Sequence, residues 1–440
     1  MNEYHDIYGD TYQLSLGHVK TIISRDAKVA EAVLNNEKFE KSILMKKMLK
    51  PWFGDSILTS EGDKWHKMRA LTNFGFHFKV LESFISIYEK HTEIFIEIIE
   101  KEMETSDGLN FMPKIYALTL DIITETLTAT TSNAQLNSNH LVIDANEILG
   151  EIYEKRLLHG YLAVNWIFRF TKYHKIWSEN VTIVNNWIDK IIMERREKLL
   201  KDTKTRVYTE ESKTKKPSVL IDILLQGNIY GRSLTNSEIS NEVKFFISAG
   251  YFTTATALSF TVYLLAKHPE EQEKVFKEIK TKIQSGPLTL RDLNSLSYLD
   301  NVLKESFRLF PPVFSIVKEP VEDLPVRDFM VPKNTAIILN TYGIQHNEKN
   351  FEDPEVFNPD RFNKEYFGQN VFLPFSAGLK NCIGQKYAMF EMKTILVKLV
   401  SKFQWRLADK NFKEDLMHNF FVLKFRNGLP LKFQKRPSSQ

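Results

Sequence analysis

Apolar positions along the chain recur mostly at helical spacing. Residues 12–24 (YQLSLGHVKTIIS) alternate instead, with Gly17 between two short runs, and predict a strand pair. Helical pattern follows over 28–35, over 64–105 with a break near 74–77, over 113–130 and over most of 141–200. The aromatic-rich stretch 161–173 interrupts the last of these. Thr235 and Glu238 stand at capping-box spacing before a pattern that runs to about Lys267, where Pro269 starts the next helix. The centre of that long helix, FFISAGYFTTATALSF, is apolar on nearly every face. It should therefore run buried through the middle of the protein. Further helices are expected over 269–283, over 298–310 and over 384–403, with a short strand at 335–340. The sum is a mainly α protein with a small β region. The polar segment 202–217, DTKTRVYTEESKTKKP, predicts a flexible internal loop rather than a domain boundary, because helical pattern resumes at 219–225.

Composition narrows the function classes. The 440 residues carry a net charge of +4, too mild and too dispersed for a nucleic acid partner. No apolar run is expected to span a bilayer, and the opening MNEYHDIYGDTYQ is too polar for a signal peptide. With one cysteine, an intrachain disulfide and a paired-cysteine zinc site are both excluded. No G-x-S-x-G, Walker-type loop or H-E-x-x-H occurs, which disfavours hydrolase and phosphotransferase chemistry. The 32 Phe residues suffice to line a large apolar cavity as well as a core.

The single cysteine stands in Phe375-Ser-Ala-Gly378-Leu-Lys380-Asn-Cys382-Ile-Gly384, a glycine-bearing loop that leads into a helix. Backbone N–H groups and the helix dipole there favour an anionic sulfur. Gly378 and Gly384 should let the backbone approach a flat, bulky group. A thiolate given to haem iron favours O–O cleavage. Elsewhere, Glu305 and Arg308 share a helix face within apolar flanks, so their charge pair should be partly buried. Such a pair needs a further partner, and Arg361 in NPDRF is the candidate. Trp65 and Arg69 share another helix face.

These segments, in this order, resemble the cytochrome P450 superfamily. The likeness runs from about Tyr8 to Leu431 and is strongest with its family 4, through LKPWFGDSILTSEGDKWHKMR, NFGFHFKVLESF, IDKIIMERR and FLPFSAGLKNCIGQKYAMFEMK. The resemblance implies a single catalytic domain in which haem b lies between the long central helix and the helix after Cys382. Cys382 would be the iron ligand, and Phe375, Gly378 and Gly384 would shape its loop. Trp65, Arg69, Lys380 and Lys318 would reach the haem propionates, the two lysines standing where the family has arginine. Glu305, Arg308 and Arg361 would brace the loop as structural supports. AGYFTT matches the oxygen-binding segment, in which Ala249 and Gly250 would open the helix above the iron and Thr253 would help deliver protons. The family's acid is replaced by Phe252, which puts proton delivery in question, with Glu242 a candidate substitute. Ala249 stands where many family 4 members carry the glutamate that esterifies haem, so no covalent haem link is expected.

The same resemblance implies a monooxygenase acting on a lipophilic small molecule, a fatty acid or related lipid. Electrons would come from NADPH through cytochrome P450 reductase, with cytochrome b5 a second candidate donor. It also implies the cytosolic face of the endoplasmic reticulum membrane and, in a full-length form, an anchor helix and proline-rich hinge that these residues do not include. Phe245, Phe246, Phe252, Val313, Phe314, Ile316, Phe420 and Phe421 are the pocket candidates by position. Lys64, Lys67 and Lys386 are candidates for docking an acidic flavoprotein. Two rivals follow from Phe252: a haem-thiolate isomerase or lyase acting on a lipid peroxide, and a catalytically impaired haem or lipid binder.

Overall fold

The computed structural model describes residues 2–16, 19–137, 140–206, 219–284, 286–363, 370–419 and 422–437. Its axis is the 32-residue helix Asn236–Lys267. The capping box forms at its start: Thr235 Oγ1 accepts from the Glu238 N–H, and the Glu238 carboxylate accepts from the Thr235 N–H. Arg232 grips both Glu238 oxygens at 2.9 Å and pulls that carboxyl down to about 2. Every residue from Ala255 to Ala266 is buried. The polar members of that stretch cost little, because Ser259 and Thr261 donate to carbonyls one turn back at 2.8 Å.

This helix contains an 18-residue stretch whose mean hydropathy, 1.3, matches a membrane span, contrary to the expectation from the sequence. Protein surrounds most of it, so its apolar faces meet other helices rather than lipid. Phe111–Thr128 packs along it, and Tyr116 Oη sits 3.1 Å from Thr256 Oγ1 between the two. The long helices Phe78–Thr105, Leu141–Leu158, Lys172–Arg206 and Gln385–Lys402 build the same core.

A five-stranded sheet stands beside the helices, in the order Thr11–Leu16, Val19–Ser24, Ala336–Leu339, Ile316–Pro320, Phe39–Lys41. Thr11–Leu16 and Val19–Ser24 form the expected hairpin, with Thr11 opposite Ser24. Ala336–Leu339 runs parallel to Val19–Ser24, and the other pairings are antiparallel. A smaller apolar cluster that includes Val29, Val33, Ile337 and Leu339 fills the space between sheet and adjoining helix.

One boundary differs from expectation. The helix Lys172–Arg206 runs through the first five residues of the segment read as loop, 202–206. No glycine or proline stands there to stop it, the first proline of the stretch being Pro217. Residues 207–217 lie outside the described residues. The interruption at 161–173 consists of two short helical turns, Gly160–Ala163 and Asn165–Phe168, before the long helix begins.

Candidate active site

The loop Phe375–Gly384 closes on itself. The Cys382 N–H donates to Phe375 O at 3.0 Å, and the Asn381 N–H donates to Gly378 O at 3.3 Å. Gly378 takes φ +71, and a Cβ there would stand 2.1 Å from the carbonyl oxygen of Leu34. The glycine is therefore demanded by the turn and by a neighbouring helix end, not by the cavity, which corrects its expected role. Gly384 does line the cavity, and a Cβ on it would meet Cys382 Sγ at an ordinary 3.9 Å.

Cys382 opens onto a cavity of about 400 Å³, with protein packed around its other sides. The helix start was expected to favour a thiolate. Burial outweighs that and pushes the thiol up, offset in part by the Gly384 N–H and the Arg69 guanidinium. A bound metal would offset that cost, because it deprotonates a coordinating thiol.

The long helix forms the opposite wall through Ala249, Gly250, Thr253, Thr254 and Ala257. Thr253 Oγ1 donates back to Ala249 O at 2.9 Å and lies on the cavity side. Gly250 is explained by packing as much as by the cavity: a Cβ there would come within 2.6 Å of Ile123 on the adjacent helix. Phe245, Phe246, Val313 and Ile316 also line the cavity, with Phe375 across from them.

Two expected wall residues do not line it. Phe252 is buried on another flank of the long helix, edge-on to Tyr116 at 5.4 Å, and faces a second cavity. A helix turns about 100° per residue, so Phe252 and Thr253 diverge. Phe314 stacks on His418 at 4.1 Å instead of lining the cavity. Phe420 and Phe421 lie outside the described residues. Glu242 cannot act at Thr253, from which it is removed by roughly 16 Å along the helix axis. Its Oε1 accepts from the Ile57 N–H at 2.9 Å instead.

One edge of the cavity is cationic. Arg69 Nη1 and Nη2 donate to the carbonyl and side-chain oxygens of Asn381, both at 3.0 Å, tying this helix to the cysteine loop. Lys380 lies 5.1 Å above the buried Trp65 ring and pairs with Glu40, and burial brings its ammonium down to about 8. Lys318 was expected here as well. Its Nζ turns to Phe39 O at 3.5 Å, away from the cavity wall. Its cross-strand neighbour Lys41 stands on the wall in its place, held by Ile57 O and Leu58 O at 3.0 and 2.9 Å. Burial, with Lys318 adding to it, brings Lys41 down to about 7. Lys41 belongs to no motif, and only the sheet register reveals it.

Behind the loop, Arg308 grips both Glu305 oxygens, at 2.7 and 2.8 Å, and Arg361 Nε adds a third contact at 3.0 Å. Both partners of the first pair are fully buried. The remaining Arg308 donors hold the carbonyls of Gln345, Pro354 and Val356. Gln345, unnoticed in the sequence, carries the connection onward by accepting from the Leu373 N–H at 3.0 Å. Phe307 packs edge-on against Phe375 at 5.8 Å. The ion cluster thus fixes the base of the cysteine loop.

One soft sulfur donor, apolar walls on both sides and cations gathered at one edge suit a flat, apolar, iron-bearing ring with acidic substituents. That is the donor set for haem held through a thiolate. The cytochrome P450 family model matches residues 1–432. Cytochrome P450 4d2 of Drosophila melanogaster is 35% identical over 407 residues, covering 90% of this chain and 81% of that protein. Cytochrome P450 4d8 of the same organism is 31% identical over 450 residues, covering 97% and 96%. Cytochrome P450 4c3, also from Drosophila melanogaster, is 31% identical over 436 residues, covering 96% and 81%. The chain belongs to the cytochrome P450 family. It is a haem-thiolate monooxygenase using haem b, and NADPH acting through a reductase is the usual electron source of that family. Bound haem supplies the oxygen chemistry. In this chain Cys382 would hold the iron, and Trp65, Arg69, Lys380 and Lys41 would hold the acidic edge.

Proposed function

We propose that this enzyme hydroxylates a fatty acid or related lipid, with electrons passed from NADPH by cytochrome P450 reductase. The observation that carries the reading is the wall facing Cys382: Phe245, Phe246, Ile123, Leu127, Val313 and Ile316 surround a single hydroxyl-bearing helix segment, Thr253–Thr254. Such a wall excludes water and binds an apolar chain by its buried area. Thr253, whose hydroxyl lies on the cavity side, would hold a proton for the reaction. The absence of an acid at position 252 does not disturb that wall, because Phe252 faces elsewhere. Thr253 on that wall, together with the family match, supports hydroxylation over peroxide rearrangement.

The electron donor would dock near the cysteine loop. Lys64 and Lys67 already pair with Asp55 at 2.6 Å and Asp63 at 2.9 Å, which leaves the exposed Lys386 as the stronger of the three candidates. A membrane surface suits the exposed Leu158, Tyr161, Trp166 and Phe170, which crowd the short turns before the long helix at 172. Aromatic rings of this kind favour the bilayer interface, and the cytosolic face of the endoplasmic reticulum fits the family.

The test combines haem-loaded protein with the reductase, NADPH and a panel of fatty acids. NADPH consumption, peroxide release and hydroxylated product are followed together. Product formed in proportion to NADPH supports the reading. No product from any fatty acid, with turnover of lipid hydroperoxides in the absence of reductase, would establish the isomerase alternative.

A further inference from the structure

A second cavity, of about 780 Å³, lies on the other flank of the long helix. Its lining is mixed, and Phe252, Tyr116, Phe425, Met112 and Ile143 supply an apolar part of it. Charges line the rim, and most of them are matched. Glu147 pairs with Lys424, Glu102 with Lys114, and Arg426 with Asp415 at 3.1 Å. Asp144 is the exception. It precedes Glu147 by three residues on the helix Leu141–Leu158, so the two share a face, yet no cation among the described residues pairs with it. Two further polar atoms on the same lining are without a hydrogen-bond partner and screened from solvent: Gln135 Oε1, an acceptor, and His140 Nδ1, which accepts in the Nε2–H tautomer. Burial holds His140 below its ordinary value, so its ring is neutral at pH 7 and does not repel a cation.

We infer that this cavity binds an organic cation: a protonated amine on an apolar body, with its charge at Asp144 and its body against Phe252, Tyr116 and Phe425. A carboxylate without a partner supplies the charge, the neighbouring acceptors take an N–H, and the aromatic rings suit both a cation and an apolar group. Phe252 adjoins Thr253 in the chain, so the ligand would rest one helix thickness from the haem cavity. This gives the residue at the relay position a contact of its own.

The experiment is calorimetric titration of the haem-loaded enzyme with dimethylbenzylamine, protonated at pH 7, with and without phenylimidazole on the iron. Saturable one-to-one binding is expected in both cases. Asp144→Asn should weaken it about two- to fivefold, the size of one exposed charge contact, and Asp144→Glu should retain it. Asp144 is exposed, so neither substitution endangers the fold. Absence of saturable binding would overturn the inference. So would unchanged affinity in Asp144→Asn, or displacement by phenylimidazole, which would place the amine in the haem cavity.

Discussion

Replacing Arg308 by lysine keeps the charge and removes the planar fork. Arg308 is fully buried and donates five hydrogen bonds, two to Glu305 and one each to the carbonyls of Gln345, Pro354 and Val356. A lysine has three donors on one nitrogen, and in that rigid setting at least two of the five acceptors lose their partner. Each buried orphan costs about 1–3 kcal/mol, and since the charge opposite Glu305 is kept, two such orphans set the scale. The expected loss is therefore about 2–6 kcal/mol, with Leu373 and the cysteine loop loosened through Gln345. Arg25→Lys is the control. Arg25 bonds Asp10 at 2.9 Å and Asp6 at 3.1 Å at the surface, and its replacement should cost no more than about 1 kcal/mol. Urea unfolding of the haem-loaded proteins, followed by far-ultraviolet circular dichroism and by the Soret band, measures both. A loss for Arg308→Lys no larger than that for Arg25→Lys would refute the claim that this cluster fixes the loop.

The remaining predictions test other parts of the site. Gly378→Ala combines a left-handed backbone with a Cβ 2.1 Å from Leu34 O, and should lose at least ~2 kcal/mol and much of its haem. Gly384→Ala should change haem content little, which spectrophotometric titration of haem decides. Thr253→Ala should divert NADPH electrons from product to peroxide severalfold while Thr253→Ser keeps most coupling, as the peroxide-to-product ratio will show. Burial raises Glu242 to about 8, against the pull of the Ile57 N–H, Lys64 and Lys41 and with a small push from Asp55. Its folded state then binds more protons than the unfolded chain, so its contribution is full below about pH 4.5 and is lost as pH rises toward 8. Glu242→Gln should therefore flatten the fall in stability between those limits, and unchanged slopes in denaturation at several pH values would count against it.

Much of this was legible in the sequence because it is local. The capping box at Thr235 and Glu238, the prolines that end helices and the spacing of Glu305 and Arg308 each depend on residues a turn apart. The cysteine loop was legible for a similar reason, since its glycines and cysteine are nearly contiguous. What the sequence hid depends on contacts between distant segments. Lys41 reaches the cavity only because its strand pairs with Ile316–Pro320, which also turns Lys318 away. Phe252 follows from the rotation of one helix against another, and Gly378 from the approach of Leu34. Helical periodicity predicts that a residue is buried but not which of two cavities it faces. At 202–206 polar composition suggests a loop, but nothing there breaks a helix, and the helix continues to Arg206.

The central claim is that Cys382 gives its thiolate to haem iron. The most direct measurement is the absorption spectrum of the haem-loaded protein, reduced and bound to carbon monoxide, beside that of Cys382→Ser. Wild type should show the strongly red-shifted Soret band that a thiolate ligand imposes. The variant should keep the helical fold and lose that band. A red-shifted band that persists in Cys382→Ser, or one absent from properly loaded wild type, would contradict the account.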